Sequence, residues 1–257
     1  MEKVKKFELT SEFIINAMGK KLFRIKALIS FSNVKAGETG GYVEKEENLS
    51  QSDNAWVYGD ARVYGDAEVY DNAWVYGNAR VFGDAEVCGD ARVYGDAEVC
   101  GDAWVYGNAR VFGDAEVCGN ARVYGDAEVF GDAWVYGNAR VYGNARVFGD
   151  AEVYGDAWVY GDAEVFGDAW VYGNARVYGN AEVFGDADYA CVKGFGTEHR
   201  NTTFFREKDG GVKASCGCFF GTIAEFRAQV ERTREGKIAK EYLMIADLME
   251  LHFGKEG

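Results

Sequence analysis

Proline is absent from this 257-residue chain, and histidine occurs only twice. Without proline, every backbone N–H can join a ladder, which suits a protein that is strand through most of its length. No apolar run approaches the roughly 18 residues that a membrane-spanning helix needs, so no membrane contact is expected. Residues 1–21 lack a continuous apolar segment, so no secretory signal is expected either. Six cysteines without paired spacing point to free thiols in a reducing cytoplasm rather than to a disulfide framework.

What is present is one hexapeptide, Ala-(Trp/Arg/Glu)-Val-(Tyr/Phe/Cys)-Gly-(Asp/Asn), repeated 22 times without insertion over residues 55–186. Asp71, in place of Gly, is the one break in it. Ala and Val two apart point to one side of a short strand, and the Gly-Asp or Gly-Asn pair supplies a corner. No single unit can bury its Val alone, so the units must stack into a solenoid.

The fourth position tells how many units make one coil. Every third unit gives the series Tyr58, Tyr76, Tyr94, Phe112, Phe130, Phe148, Phe166, Phe184, with five of the array's six Phe in one run. A second series holds Cys100 and Cys118 side by side, and the third is Tyr except for Cys88. Like residues cluster at 18-residue spacing, so residues 18 apart should sit one above the other. The expected fold is an all-β, three-sided parallel β-helix of a little over seven coils. At roughly 4.8 Å per layer the rod is about 35 Å long. Cys100 and Cys118 fall one layer apart, but parallel side chains suit a disulfide poorly, so both are expected as free thiols.

The flanks differ in composition. Residues 1–54 read as an N-terminal β cap, with strands at Phe7–Thr10 and Leu22–Phe31 joined near Gly19, because an open β-helix end exposes strand edges. Residues 187–257 read as a C-terminal hairpin around Asp209-Gly210-Gly211 followed by two helices. The first helix opens on the capping box Thr222-Ile-Ala-Glu225, and the second carries Ile238, Tyr242, Ile245 and Met249 on one stripe to about Phe253.

At Asn33-Val-Lys-Ala-Gly37, Gly40-Gly41-Tyr42-Val43, Asn48-Leu-Ser50 and Asn54-Ala-Trp-Val-Tyr-Gly59 the chain resembles the YdcK-like hexapeptide-repeat proteins. The aliphatic residue followed four positions later by a small one (Val57 and Ala61) is similar to the LpxA-like superfamily. These resemblances imply a left-handed winding, a bacterial or prophage cytoplasmic protein, and a transferase role assigned to such folds. A right-handed triangular β-helix of the bactofilin kind is the structural alternative. Thr202-Thr-Phe204 and Cys216–Phe226 resemble the ends of prophage-encoded proteins and imply no activity.

The array offers little chemistry. LpxA-like enzymes use a histidine as general base, yet the array has no His, Lys or Ser, and both His199 and His252 lie beyond it. No catalytic residue is therefore assigned. An acyl or sugar-nucleotide transferase that uses His199 is one alternative. Cys191, His199, Cys216 and Cys218 could be imagined as a zinc set, but paired Cys ligands normally have two or more residues between them, so buried strand thiols are the better reading.

The net charge is −14, and the array, with 8 Arg and no Lys against 8 Glu and 15 Asp, accounts for it. Nucleic-acid binding is disfavoured. An acidic rod could instead imitate DNA and inhibit a host defence or DNA-binding protein. Asp96, Asp114, Asp132, Asp150, Asp168 and Asp186 should line one corner, where they either bond local N–H groups or attract adventitious Ca²⁺. No cofactor is expected. No Thr-x-Thr ladder exists, which argues against ice binding. Arg110, Glu128, Arg146 and Glu164 should alternate in sign, and Arg122, Arg140 and Arg176 should meet Trp104 and Trp158. The Phe112, Phe130, Phe148, Phe166, Phe184 strip is more apolar than a monomer's surface usually is, so a protein partner or second copy is expected on it. The expected function is a non-catalytic structural or protein-binding module.

Overall fold

Hydrogen bonds between coils all run in one sense. In the computed structural model, which describes residues 4–197 and 200–254, Arg92 N donates to Ala109 O (2.9 Å), Tyr94 N to Val111 O (3.0 Å) and Asp96 N to Gly113 O (2.9 Å). The pattern follows from the hexapeptide: positions two, four and six face the next coil with their N–H groups. Strands 18 residues apart therefore pair parallel and in register, as in Arg110↔Glu128, Val111↔Val129 and Phe112↔Phe130.

Three sheets result, one per face. The first face carries eight strands from Trp56–Val57 to Glu182–Val183, and the third carries seven from Glu68–Val69 to Arg176–Val177. The second runs from Arg62–Gly65 to Trp170–Val171 and is extended at its start by β1 (Phe7–Ile15), β2 (Lys21–Ala27) and β3 (Thr39–Val43), which makes ten strands. All 22 Ala and 22 Val of the repeat are buried and form one continuous core. Burial of each Val contributes roughly 1.5–3 kcal/mol, against backbone entropy of about 1–2 kcal/mol per ordered residue.

One-way bonding leaves unpaired carbonyls at the rod's N-terminal end and unpaired N–H groups at the other. The N-terminal cap supplies donors. Asn48 Nδ2 donates to Gly65 O (3.0 Å) and Ala67 O (2.8 Å). Lys6, buried to 1 % exposure, donates to Ala55 O (2.8 Å) and Asp53 O (3.1 Å). Arg24 Nη1 reaches Gly59 O (2.7 Å). β3 lies so close to the first coil that a Cβ on Gly40 or Gly41 would meet Val57 O at 2.5 Å or Ala61 O at 2.6 Å. Phe7 and Phe31 close the core edge-on to Trp56, at 6.2 and 5.4 Å. The expected second strand is shorter than its sequence span. It ends at Ala27, because the chain turns at Ser32 (φ 43°) to bridge Phe31 with Val34.

The C-terminal cap supplies acceptors. Thr203 Oγ1 accepts from Arg176 N (3.4 Å), and Asp188 Oδ2 from Phe184 N (3.3 Å). Strands Tyr189–Phe195, Arg200–Arg206, Val212–Cys216 and Phe219–Thr222 form an antiparallel sheet in that order. The hairpin around Asp209-Gly210-Gly211 is there, with Arg206↔Val212 closing it. A second tight turn, at Gly217-Cys218, joins Cys216 to Phe219 and adds a strand that the composition had not marked. The capping box starts α1 (Ile223–Thr233): Thr222 Oγ1 accepts from Glu225 N, and Glu225 Oε2 accepts from Thr222 N (2.7 Å). α2 (Gly236–Phe253) buries Tyr242, Ile245, Met249 and Phe253 with α1 and the sheet in a second core. No helix among the described residues is long and apolar enough to cross a membrane.

Candidate functional site

The fourth position of each hexapeptide projects outward, and in-register pairing fixes what it meets. Phe112, Phe130, Phe148 and Phe166 stack with centroids 4.8–4.9 Å apart and ring planes within 5°. Each ring thus covers most of its neighbour's face, and these four are half-buried rather than exposed. Phe184 differs. With no coil above it, it turns edge-on to Phe166 at 67° and is 61 % exposed. The third face holds a matching tyrosine stack from Tyr106 to Tyr178. Burial raises the pKa of these phenols, pushing Tyr160 up to about 12.

Tryptophan supplies rings more open than those of the strip. Trp134 and Trp170 are each 47 % exposed and Tyr172 50 % exposed, all on the second face. The outward second position has no column of its own kind to shelter it. Trp134 and Tyr136 wall a shallow groove with Glu116 and Cys118, and Tyr58, Trp74, Tyr76 and Arg92 wall another beside Asn33. Burial, and then the Glu98 carboxylate one coil below, raise the pKa of Glu116. On the third face Arg122 lies over Trp104 (5.0 Å), and Arg140 and Arg176 flank Trp158 at 4.8 Å each. On the first, Arg110 pairs with Glu128, Arg146 sits between Glu128 (3.6 Å) and Glu164 (3.5 Å), and Lys208 completes the row on Glu164 (2.8 Å).

The aspartates of the first-face corner fall one per coil. Asp96 and Asp114 donate their backbone N–H to Gly113 O and Gly131 O. Asp96 Oδ1 also accepts from Asn78 Nδ2 (2.9 Å). Asp132, Asp150 and Asp168 continue the corner at the same 18-residue step, and the side chain of Asp186 lies outside the described residues. No group of three His, Cys, Asp or Glu side chains among the described residues is placed to hold a metal ion.

The thiols correct the sequence reading in two places. Cys100 and Cys118 form a disulfide. Adjacent parallel strands hold their Cα atoms 4.6 Å apart, within disulfide reach, so parallel side chains do not forbid the bond. Cys218 sits in a turn and is exposed, Cys191 is exposed on its strand, and Cys216 Sγ accepts from Thr202 Oγ1 (3.1 Å). His199 lies outside the described residues. His252 occupies the last turn of α2, its ring edge-on to Phe253 at 4.7 Å.

The array is therefore a scaffold with ring ladders and charge rows outside and only alanine and valine inside. No curated protein matches the chain. A family model described as the YdcK β-solenoid repeat matches residues 133–147, 139–155 and 169–185. The match falls on the array rather than on Asn33–Ser50, where the sequence also resembles these proteins. These stretches are similar to the repeats of the YdcK β-solenoid family.

Proposed function

We propose that the protein is a non-catalytic structural and binding module that associates with a second copy of itself through the outer aromatic ladders, in a phage or prophage setting. One observation carries this reading: the most open rings of the array, Trp134, Trp170, Tyr172 and Phe184, all lie in the C-terminal half of the rod. The Phe112–Phe166 stack contributes a continuous apolar edge on the first face. Aromatic side chains of this kind dominate binding when a partner covers them. The array lacks the histidine that transferases of the resembling superfamily use as general base.

Light scattering at micromolar concentration tests it. The full chain should run at twice the monomer mass or more, and Trp134→Ser with Trp170→Ser, or Phe184→Ser alone, should shift it toward monomer with an unchanged thermal melt. A monomer at all concentrations would overturn self-association and leave the structural role.

A further inference from the structure

One cleft at the C-terminal end of the rod is lined by cations. Between the last coil and the antiparallel sheet lies a cleft of about 530 Å³, bordered by Asn174, Arg176, Lys193, Asn201, Thr203 and Ser215. In a chain of net charge −14, this cleft presents two cations and, among the described residues, no carboxylate. The volume is that of a small-molecule site.

Three features prepare the cleft for an anion. Arg176 has no carboxylate partner among the described residues, and its guanidinium is held against the ring of Trp158 at 4.8 Å. A planar fork fixed in this way loses little freedom when it takes a phosphate in bidentate fashion. The one-way bonding of the coils adds backbone donors. Asn138 N and Asp156 N donate to Gly155 O and Gly173 O, but Asn174, the next of that series, has no coil above it and no acceptor among the described residues. Its N–H is left at the cleft with the amide of Asn201. Finally, the nearly buried Ser215 accepts from Tyr178 Oη (3.3 Å), which leaves its own hydroxyl proton to donate. Unpaired N–H groups beside cations form an anion-binding concavity.

We propose that this cleft binds a phosphate-bearing small molecule, with Arg176 and Lys193 neutralising the phosphate and Asn174 N–H, Asn201 and Ser215 completing its hydrogen bonds. This site is separate from the aromatic surface and stands or falls without it.

Calorimetric titration of inorganic phosphate into the full chain at low ionic strength is the test, with acetate as a second arm. Saturable phosphate binding that weakens at least tenfold in Arg176→Gln and in Lys193→Gln, and not in Arg110→Gln, supports the site. All three side chains are exposed, so the fold should hold, and unchanged thermal melts would verify it. Phosphate should also slow alkylation of Cys218, which borders the cleft, and leave that of Cys88 unchanged in peptide mapping. Equal weak binding in all variants, or none, would overturn the proposal. Acetate binding as tight as phosphate would overturn the phosphate assignment.

Discussion

Phe130 lies directly beneath Phe148, centroids 4.8 Å apart and ring planes 1° from parallel. The pairing is imposed by register, since Val129↔Val147 beneath the same strands are buried partners. Phe130 also stacks on Phe112, so truncating it removes two ring contacts at once. Phe130→Ala should cost about 1–3 kcal/mol, read from chemical denaturation. Phe130→Tyr should cost far less, because the ring stack survives.

Corners tolerate less. Gly125 has φ +74°, and a Cβ there would stand 3.0 Å from Gly143 N in the next coil. Both strain and backbone contact oppose a side chain, so Gly125→Ala should lower the thermal midpoint by several degrees, equivalent to about 1–3 kcal/mol. Asp71 occupies the same kind of corner at φ 61° and offsets part of the strain by accepting from Gly89 N (3.2 Å). Asp71→Gly should accordingly be neutral or mildly stabilising in the same measurement.

Cys100 and Cys118 close an 18-residue loop around one coil. Loop-closure entropy for such a length is about 3 kcal/mol. Alkylation of the unfolded, unreduced chain should label four cysteines and that of the reduced chain six. Cys100→Ser should lower stability by up to that amount, and the reductant that destabilises the native chain should leave the variant unaffected.

Burial pulls the Lys6 ammonium down from 10.5 to about 8, against the opposing pull of Asp53. Between these values the unfolded chain binds one proton more than the folded chain. Stability contributed at this site therefore rises as pH climbs from about 8 to about 10.5, by an amount of order 3 kcal/mol. Lys6→Met should lose that slope, so the difference in unfolding free energy between the two chains should change between pH 7.5 and pH 10. Parallel curves would show that the ammonium is not desolvated in the cap.

Much of the rod was legible because a strict repeat makes geometry visible as composition. The clustering of Phe112 to Phe184 at every third unit places one residue above another before any coordinates exist, and Arg110–Glu128–Arg146–Glu164 follows from the same columns. The caps were legible as elements but not as chemistry. Asn48, Lys6 and Thr203 matter because inter-coil bonds all point one way, and no periodicity reveals that direction. The Cys100–Cys118 bond was missed by judging side-chain direction without the strand spacing. The outward second position places Trp134 and Trp170 on the exterior, and their openness there follows from neighbours that vary in kind from coil to coil.

The sameness of the interior has a consequence for how such a chain can change length. Every layer offers the next an identical alanine and valine floor, so coils are interchangeable cassettes. Excising residues 91–108 should leave a folded rod about 4.8 Å shorter, with both ends facing as before. Excising only residues 91–96 should instead swing everything beyond by a third of a revolution, so that Tyr58 and Tyr76 stay on one side of the prism while the row from Phe112 to Phe184 moves to another.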